Sequence, residues 1–315
     1  MYFSHPIQDK LDAKQTVVMD GGTGTEISRR GVPLDSNLTW SGIANVDSPN
    51  LVRKIHEEYI QAGAEIIIAN TFSTRRSLLA RSGLDDFTAE INVKSVNLAL
   101  AAREKCAIDK SSVIVAGSIS TFEPMDQPKI IPSYNESLKN YEEQASLLVK
   151  AGVDIIILEM FIRTVDAMAA IEATSKLDIP IWMGFSCELF DDKIYLGIQG
   201  RHANETLQDG VRSTSSENIN AYFVMHSPPG ITIRALRELR DSTSLPIGAY
   251  AHTDDLESQT GVAPGLRAIP SISPSQYLET AREWVDVGAQ IIGGCCGTTP
   301  DHIRALHNGI QKNID

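Results

Sequence analysis

Two cysteines stand side by side near the C-terminus, in Gly293-Gly294-Cys295-Cys296-Gly297-Thr298-Thr299-Pro300, directly after the apolar stretch Ala289-Gln290-Ile291-Ile292. Adjacent thiols behind a buried strand are poor packing material but suit a soft metal ion. The flanking glycines let the backbone turn sharply enough to aim both side chains at one point. The same pair also fits two small buried residues or a vicinal disulfide. Further polar residues follow other short apolar runs: Asp20, Asn70-Thr71, Glu159, His226 and His252. Acids, an amide, imidazoles and thiols delivered by six strand ends describe a site rather than a solubilising surface. Each has a plainer reading by itself. Asp20-Gly21-Gly22-Thr23-Gly24-Thr25-Glu26 is either a glycine turn with a structural aspartate or a phosphate cradle. It lacks the third glycine of a dinucleotide fingerprint and the lysine of a P-loop. Glu159 could anchor a substrate amino group or pair with an arginine, and a lone histidine can be a hydrogen-bonded fixture. The 293–300 turn also suits a phosphate, a reading that leaves both thiols unexplained.

The elements that must carry these residues show an internal repeat. Ala62-Gly63-Ala64-Glu65-Ile66-Ile67, Ala151-Gly152-Val153-Asp154-Ile155-Ile156 and Val287-Gly288-Ala289-Gln290-Ile291-Ile292 share one pattern. In each, a glycine ends an amphipathic helix and a β-branched run follows at once. The runs are apolar without alternation, as strands buried on both faces of a parallel sheet are. Residues 16–19, 112–116, 179–184, 221–225 and 245–249 supply five more such runs. Ser273-Pro274-Ser275-Gln276 reads as a capping box opening the helix before the last strand, with Tyr277, Ala281, Trp284 and Val285 on one face. Eight alternating units over this length predict an α/β fold, a (β/α)8 TIM barrel in one domain spanning residues 1–315, with a doubly wound open sheet as the alternative. Segments 122–133, 191–209 and 254–272 read as long loops over the functional face.

Bulk properties narrow the function classes. With 42% hydrophobic residues the chain can bury a sizeable core, and a net charge of −12 argues against nucleic acid or an anionic membrane as partner. The longest apolar runs are strand-sized, too short to span a bilayer. The start, Met1-Tyr2-Phe3-Ser4-His5-Pro6, lacks the basic and apolar regions of a signal peptide. Cys106, Cys187, Cys295 and Cys296 are too scattered for a disulfide framework, so a reducing, cytoplasmic setting is expected.

Taken together, these motifs resemble the homocysteine S-methyltransferase family. The family includes the betaine- and S-methylmethionine-dependent enzymes and the homocysteine module of cobalamin-dependent methionine synthase. The resemblance rests on Asp20-Gly21-Gly22-Thr23-Gly24-Thr25-Glu26, on the stretch from Pro49 through His56 and Tyr59 to Asn70-Thr71-Phe72, and on Gly117-Ser118-Ile119. It rests also on Glu159 and, most specifically, on Gly293-Gly294-Cys295-Cys296-Gly297-Thr298-Thr299-Pro300. It runs in the expected order from about Val17 to Leu306.

The resemblance implies a zinc-dependent barrel that methylates the thiol of homocysteine to give methionine. In the family three cysteines hold Zn2+, one after the sixth strand and the adjacent pair after the eighth. The pair is Cys295 and Cys296 here, whereas the first position, in Phe223-Val224-Met225-His226-Ser227-Pro228-Pro229, is His226. Two cysteines and a histidine are a known catalytic zinc set with an open fourth position. By the same carry-over Asp20 and Glu159 grip the amino group of homocysteine, with Thr71 nearby. Other departures from the family pattern are Tyr250-Ala251-His252, Gly117-Ser118-Ile119-Ser120-Thr121, and Met160 after Glu159. The partners implied are a small thiol acceptor and a small methyl donor. The chain ends soon after the eighth unit, with no corrinoid or folate module, which favours a sulfonium donor such as S-methylmethionine. Aromatic residues, 6% of the chain, favour it over a quaternary ammonium held in an aromatic cage.

Overall fold

The computed structural model describes residues 6–34, 39–121, 132–198, 201–216, 218–253 and 272–310. Its eight-stranded parallel sheet comprises β1 (Val17–Val18), β2 (Ile66–Ala69), β3 (Ile114–Ser120), β4 (Ile155–Phe161), β5 (Ile181–Phe185), β6 (Ile219–Met225), β7 (Ile247–Tyr250) and β8 (Ala289–Ile292). Each strand pairs with its sequence neighbour, and β1 pairs with β8 through Val17↔Ile291 and Val18↔Ile292. A parallel bridge between Met19 and Ile66 joins β1 to β2 and closes the circle. That bridge excludes the open doubly wound sheet and makes the architecture a (β/α)8 barrel.

Helices follow the strands as the repeat predicts. Gly63, Gly152 and Gly288 all adopt the left-handed conformation, with φ of +105°, +98° and +98°, which a side chain would oppose. Each therefore ends a helix and turns the chain into the next strand. The capping box at Ser273 and Gln276 forms with Pro274 at the first helical position, and Tyr277, Ala281 and Trp284 are buried. Strand residues alternate between two apolar cores: Val17, Ile66, Ile155 and Ile157 fill the lumen, while Val18, Ile67, Ile156 and Leu158 pack under the helices. The lumen is plugged by Trp182 against Phe223 at 5.5 Å and Phe223 against Tyr250 at 5.4 Å between ring centroids. A plugged lumen leaves the carboxyl ends of the strands as the place for a site.

One expectation needs correction. Residues 191–209 are not a loop. Cys187–Phe190, Lys193–Ile198 and Arg201–Thr206 form a three-stranded antiparallel sheet after β5. Asp191 and Asp192, with φ of +46° and +61°, make the tight turn between the first two strands. Burial of Ile194, Leu196 and Ile198 on one face stabilises it. Of the other two expected loops, residues 122–131 and 254–271 lie outside the described residues, and Ser133 caps the helix Tyr134–Ala151.

His56, on the helix Pro49–Gln61, is fully buried, and neither ring nitrogen has a hydrogen-bond partner among the described residues. Burial pulls its pKa down from 6.5 to about 4. Between these values the unfolded chain binds more protons than the folded one. Stability is therefore unaffected above pH 6.5 and falls as pH drops from 6.5 towards 4, by about 3 kcal/mol at most. In His56→Leu, thermal unfolding midpoints followed over that range should fall less steeply with acid than in the parent chain.

Candidate active site

The carboxyl ends of the strands bring together most of the residues singled out in the sequence. His226 follows β6, and its Nδ1 lies 3.3 Å from Cys295 Sγ and 3.6 Å from Cys296 Sγ. The two sulfurs are 4.0 Å apart, and both cysteines are free thiols. The ligand atoms of these three residues all lie within 4.8 Å of one another. A tetrahedral zinc with bonds of about 2.3 Å to sulfur and about 2.0 Å to nitrogen needs its ligands roughly 3.6–3.8 Å apart. The trio fits such an ion and leaves one position for a fourth ligand.

Main-chain hydrogen bonding explains how consecutive cysteines hold this geometry. Cys295 N–H donates to Ala251 O at 2.9 Å, and Cys296 O accepts from Thr253 N–H at 3.0 Å, so the pair is fastened to the segment after β7. Gly294 N–H donates to Asp20 O at 3.0 Å. Thr298 Oγ1 accepts from Gly22 N–H at 3.1 Å and donates to Cys295 O at 2.6 Å, which joins the two glycine loops. A Cβ at Gly294 would meet the Thr298 side chain at 2.3 Å, and one at Gly22 would meet Cys295 O at 2.6 Å. The glycines thus serve a close approach between loops, and the phosphate-cradle reading is not needed to explain them.

His226 and Met160 both adopt left-handed backbone, with φ of +46° and +56°. Non-glycine residues there are strained; His226 sits directly past the end of β6 and Met160 near the end of β4, before Phe161, and both line the cavity. For His226 the conformation is secured by its N–H donating to Tyr250 O at 3.1 Å. The His252 ring, buried, stands edge-on to His226 with centroids 5.2 Å apart but is outside the cluster of three.

Glu159 lines the same cavity and is 5% exposed. Its carboxylate accepts hydrogen bonds from Ser118 Oγ and, at 3.0 Å, from Tyr250 OH. Burial pushes its pKa up to about 7, opposed by the two hydroxyls and by the nearby His226 charge. Asp20 is also buried but does not line the cavity; its Oδ2 accepts from Ile68 N–H at 2.8 Å. Burial raises its pKa well above the usual carboxylate range; the Ile68 N–H opposes this and the Glu159 charge adds to it. Neither carboxylate forms an ion pair with a lysine or arginine among the described residues. Two acids buried together without a basic partner are costly unless a cation joins them. The Cys295 thiol is likewise pushed well up, first by its hydrogen bond with Cys296 and then by burial, and eased by His226. A bound cation inverts that balance.

Thr71 is brought to the region but away from the cavity surface. Its hydroxyl accepts from Ser118 N–H at 3.0 Å and donates to Ser118 O at 2.8 Å, so it clasps β3 rather than facing a ligand. Asn70 lines the cavity, tied to Ser41 and Asn45. Sequence reasoning gave no role to Ser118 or Tyr250, although both lie in stretches it singled out. Trp40, Phe72 and Met160 also line the cavity, with Trp40 edge-on to Phe72 at 6.1 Å.

Comparison with known proteins adds to this geometry. A profile described as homocysteine S-methyltransferase matches residues 17–310. The chain belongs to the homocysteine S-methyltransferase family. It is 29% identical to homocysteine S-methyltransferase 2 of Zea mays over 318 residues, covering 94% of this chain and 90% of that protein. It is 26% identical to the homocysteine S-methyltransferase YbgG of Bacillus subtilis strain 168, covering 96% of each. The metallated form of the homocysteine methyltransferase MmuM from Escherichia coli superposes with a TM-score of 0.78 at 25% identity, covering 96% of this chain and 99% of that one. The fold and the family of methyltransferases expected from the sequence are therefore shown, and His226, Cys295 and Cys296 form a Cys/His cluster that could hold a metal ion. Among the described residues, no helix is long and apolar enough to cross a membrane.

Proposed function

We propose that this chain moves a methyl group from a small sulfonium donor, of the S-methylmethionine type, to the thiol of homocysteine, giving methionine, with Zn2+ held by His226, Cys295 and Cys296. The observation that carries the reading is the convergence of two thiols and an imidazole beside a buried carboxylate that has no lysine or arginine partner among the described residues. When bound, zinc would lower the pKa of the acceptor thiol from about 8.5, so that a thiolate is available at neutral pH. The acceptor sulfur then forms a bond to the methyl carbon while the carbon–sulfonium bond breaks. Its electron pair stays on the donor sulfur, which leaves as a neutral thioether, and the thiol proton goes to solvent. The barrel mouth contributes by holding both reactants in line.

Glu159 takes the amino group of homocysteine by contact, since it lines the cavity. Asp20 supports that cation through its charge. Thr71 acts through Ser118, which it holds in place. A reducing compartment, the cytoplasm, suits a site that needs two free thiols. Residues 1–315 form one domain in this reading.

Cys295→Ser and Cys296→Ser should each lose zinc and methyl transfer while retaining the barrel, measured as metal per chain, turnover and circular dichroism. Full zinc in both variants would remove the ligand assignment. Acidity supplies a second test. A Glu159 pKa of about 7 means that the group loses charge as pH falls through that value, so the ammonium of homocysteine loses its partner. The ratio of kcat/KM for homocysteine to that for 4-mercaptobutanoate, which has the thiol without the amine, should fall from pH 8 to about pH 6. Glu159→Gln should flatten this dependence.

A further inference from the structure

Glu159 is gripped by two hydroxyls that reach it from different sides of the barrel. Ser118 on the adjoining β3 donates to Oε2, and Tyr250 at the end of β7 donates to Oε1 at 3.0 Å. Two O–H donors favour the charged form of a buried carboxylate and fix its orientation, while leaving it lone pairs for a further cation.

Both donors are themselves fixed. Thr71 holds the main chain of Ser118 from both its N–H and its C=O. The Tyr250 ring stands edge-on to Phe223 at 5.4 Å, and its carbonyl accepts from His226 N–H at 3.1 Å. Gly184 on β5 leaves room for the phenol, since a Cβ there would lie 3.2 Å from the Tyr250 oxygen. The next residue, Ala251, accepts from Cys295 N–H. Tyr250 thus bonds Glu159 through its hydroxyl and His226 through its carbonyl, while its neighbour Ala251 holds the cysteine loop.

We infer that Tyr250, supported by Ser118, is a positioning residue that makes this site selective for thiols bearing an α-amino group. The inference rests on the reading in which Glu159 receives that amine. The Tyr250 hydroxyl acts on Glu159: it favours the charged form of the carboxylate and fixes its aim, and the carboxylate discriminates. A thiol without an amine makes no use of that charge and gains nothing from the grip.

The test compares zinc-loaded, full-length wild type, Tyr250→Phe, Ser118→Ala and Glu159→Gln. Acceptors are homocysteine and 4-mercaptobutanoate, with S-methylmethionine as donor, and KM and kcat are resolved separately. Tyr250→Phe keeps the ring against Phe223 and removes one hydrogen bond to a charged group. It should raise KM for homocysteine roughly tenfold to a hundredfold, with a far smaller effect on kcat. The preference for homocysteine over 4-mercaptobutanoate should collapse towards that of Glu159→Gln. Ser118→Ala should move the preference the same way and serves if Tyr250→Phe does not fold. A merely structural role would raise KM for both acceptors alike, and that result overturns the inference. If Glu159→Gln loses the preference while both hydroxyl variants keep it, this inference alone fails. If wild type shows no preference for homocysteine, the amine-binding reading of Glu159 fails and takes this inference with it.

Discussion

An imidazole from one strand end and two consecutive thiols from another converge within a few ångströms. The main chain holds them there. Cys295 and Cys296 are each hydrogen-bonded to the segment after β7, and His226 is hydrogen-bonded to Tyr250 at the end of that strand. The three candidate ligands therefore share one strand as their reference, and the barrel that sets the strand spacing also sets the spacing of these side chains. The close approach of the loops around Gly22 and Gly294, joined by Thr298, keeps the cysteine turn from relaxing outward. A side chain at either glycine would separate the loops, so the glycines are required by packing at the site rather than by flexibility.

The electrostatics follow from the same enclosure. Burial disfavours charge on Asp20, Glu159 and Cys295 alike, and among the described residues none of them has a lysine or arginine partner. Such a set is stable as an uncharged group and becomes favourable as an anionic one when cations arrive. A divalent metal at the thiols and an ammonium at the carboxylates are the two cations that a thiol amino acid on a metal centre provides. The function proposed above supplies both cations together, and the Ser118 and Tyr250 hydroxyls offset part of the desolvation of Glu159.

Much of this was legible in the sequence because it depends on local rules. A glycine closing a helix before a β-branched run is a backbone requirement, and the three instances at Gly63, Gly152 and Gly288 all adopt the left-handed conformation. Polar residues at strand ends follow from barrel geometry, which is why His226, Glu159 and the cysteine pair were found together. The antiparallel excursion after β5 was hidden because its strands are short and its turn is Asp191-Asp192, without the glycine that usually marks a hairpin. For Thr71, position after a strand does not tell which way a hydroxyl points; here it accepts from and donates to the main chain of Ser118. The role of Tyr250 depends on a contact across the barrel between residues 91 positions apart and that of Ser118 on one between residues 41 positions apart, which no local pattern encodes.

Zinc-edge X-ray absorption of the reduced protein, without and with homocysteine, tests the central claim most directly. The account predicts a zinc shell with two sulfurs and at least one imidazole nitrogen in the free protein, rising to three sulfurs when homocysteine is added. A shell without sulfur, or a sulfur number that homocysteine leaves unchanged, would contradict it.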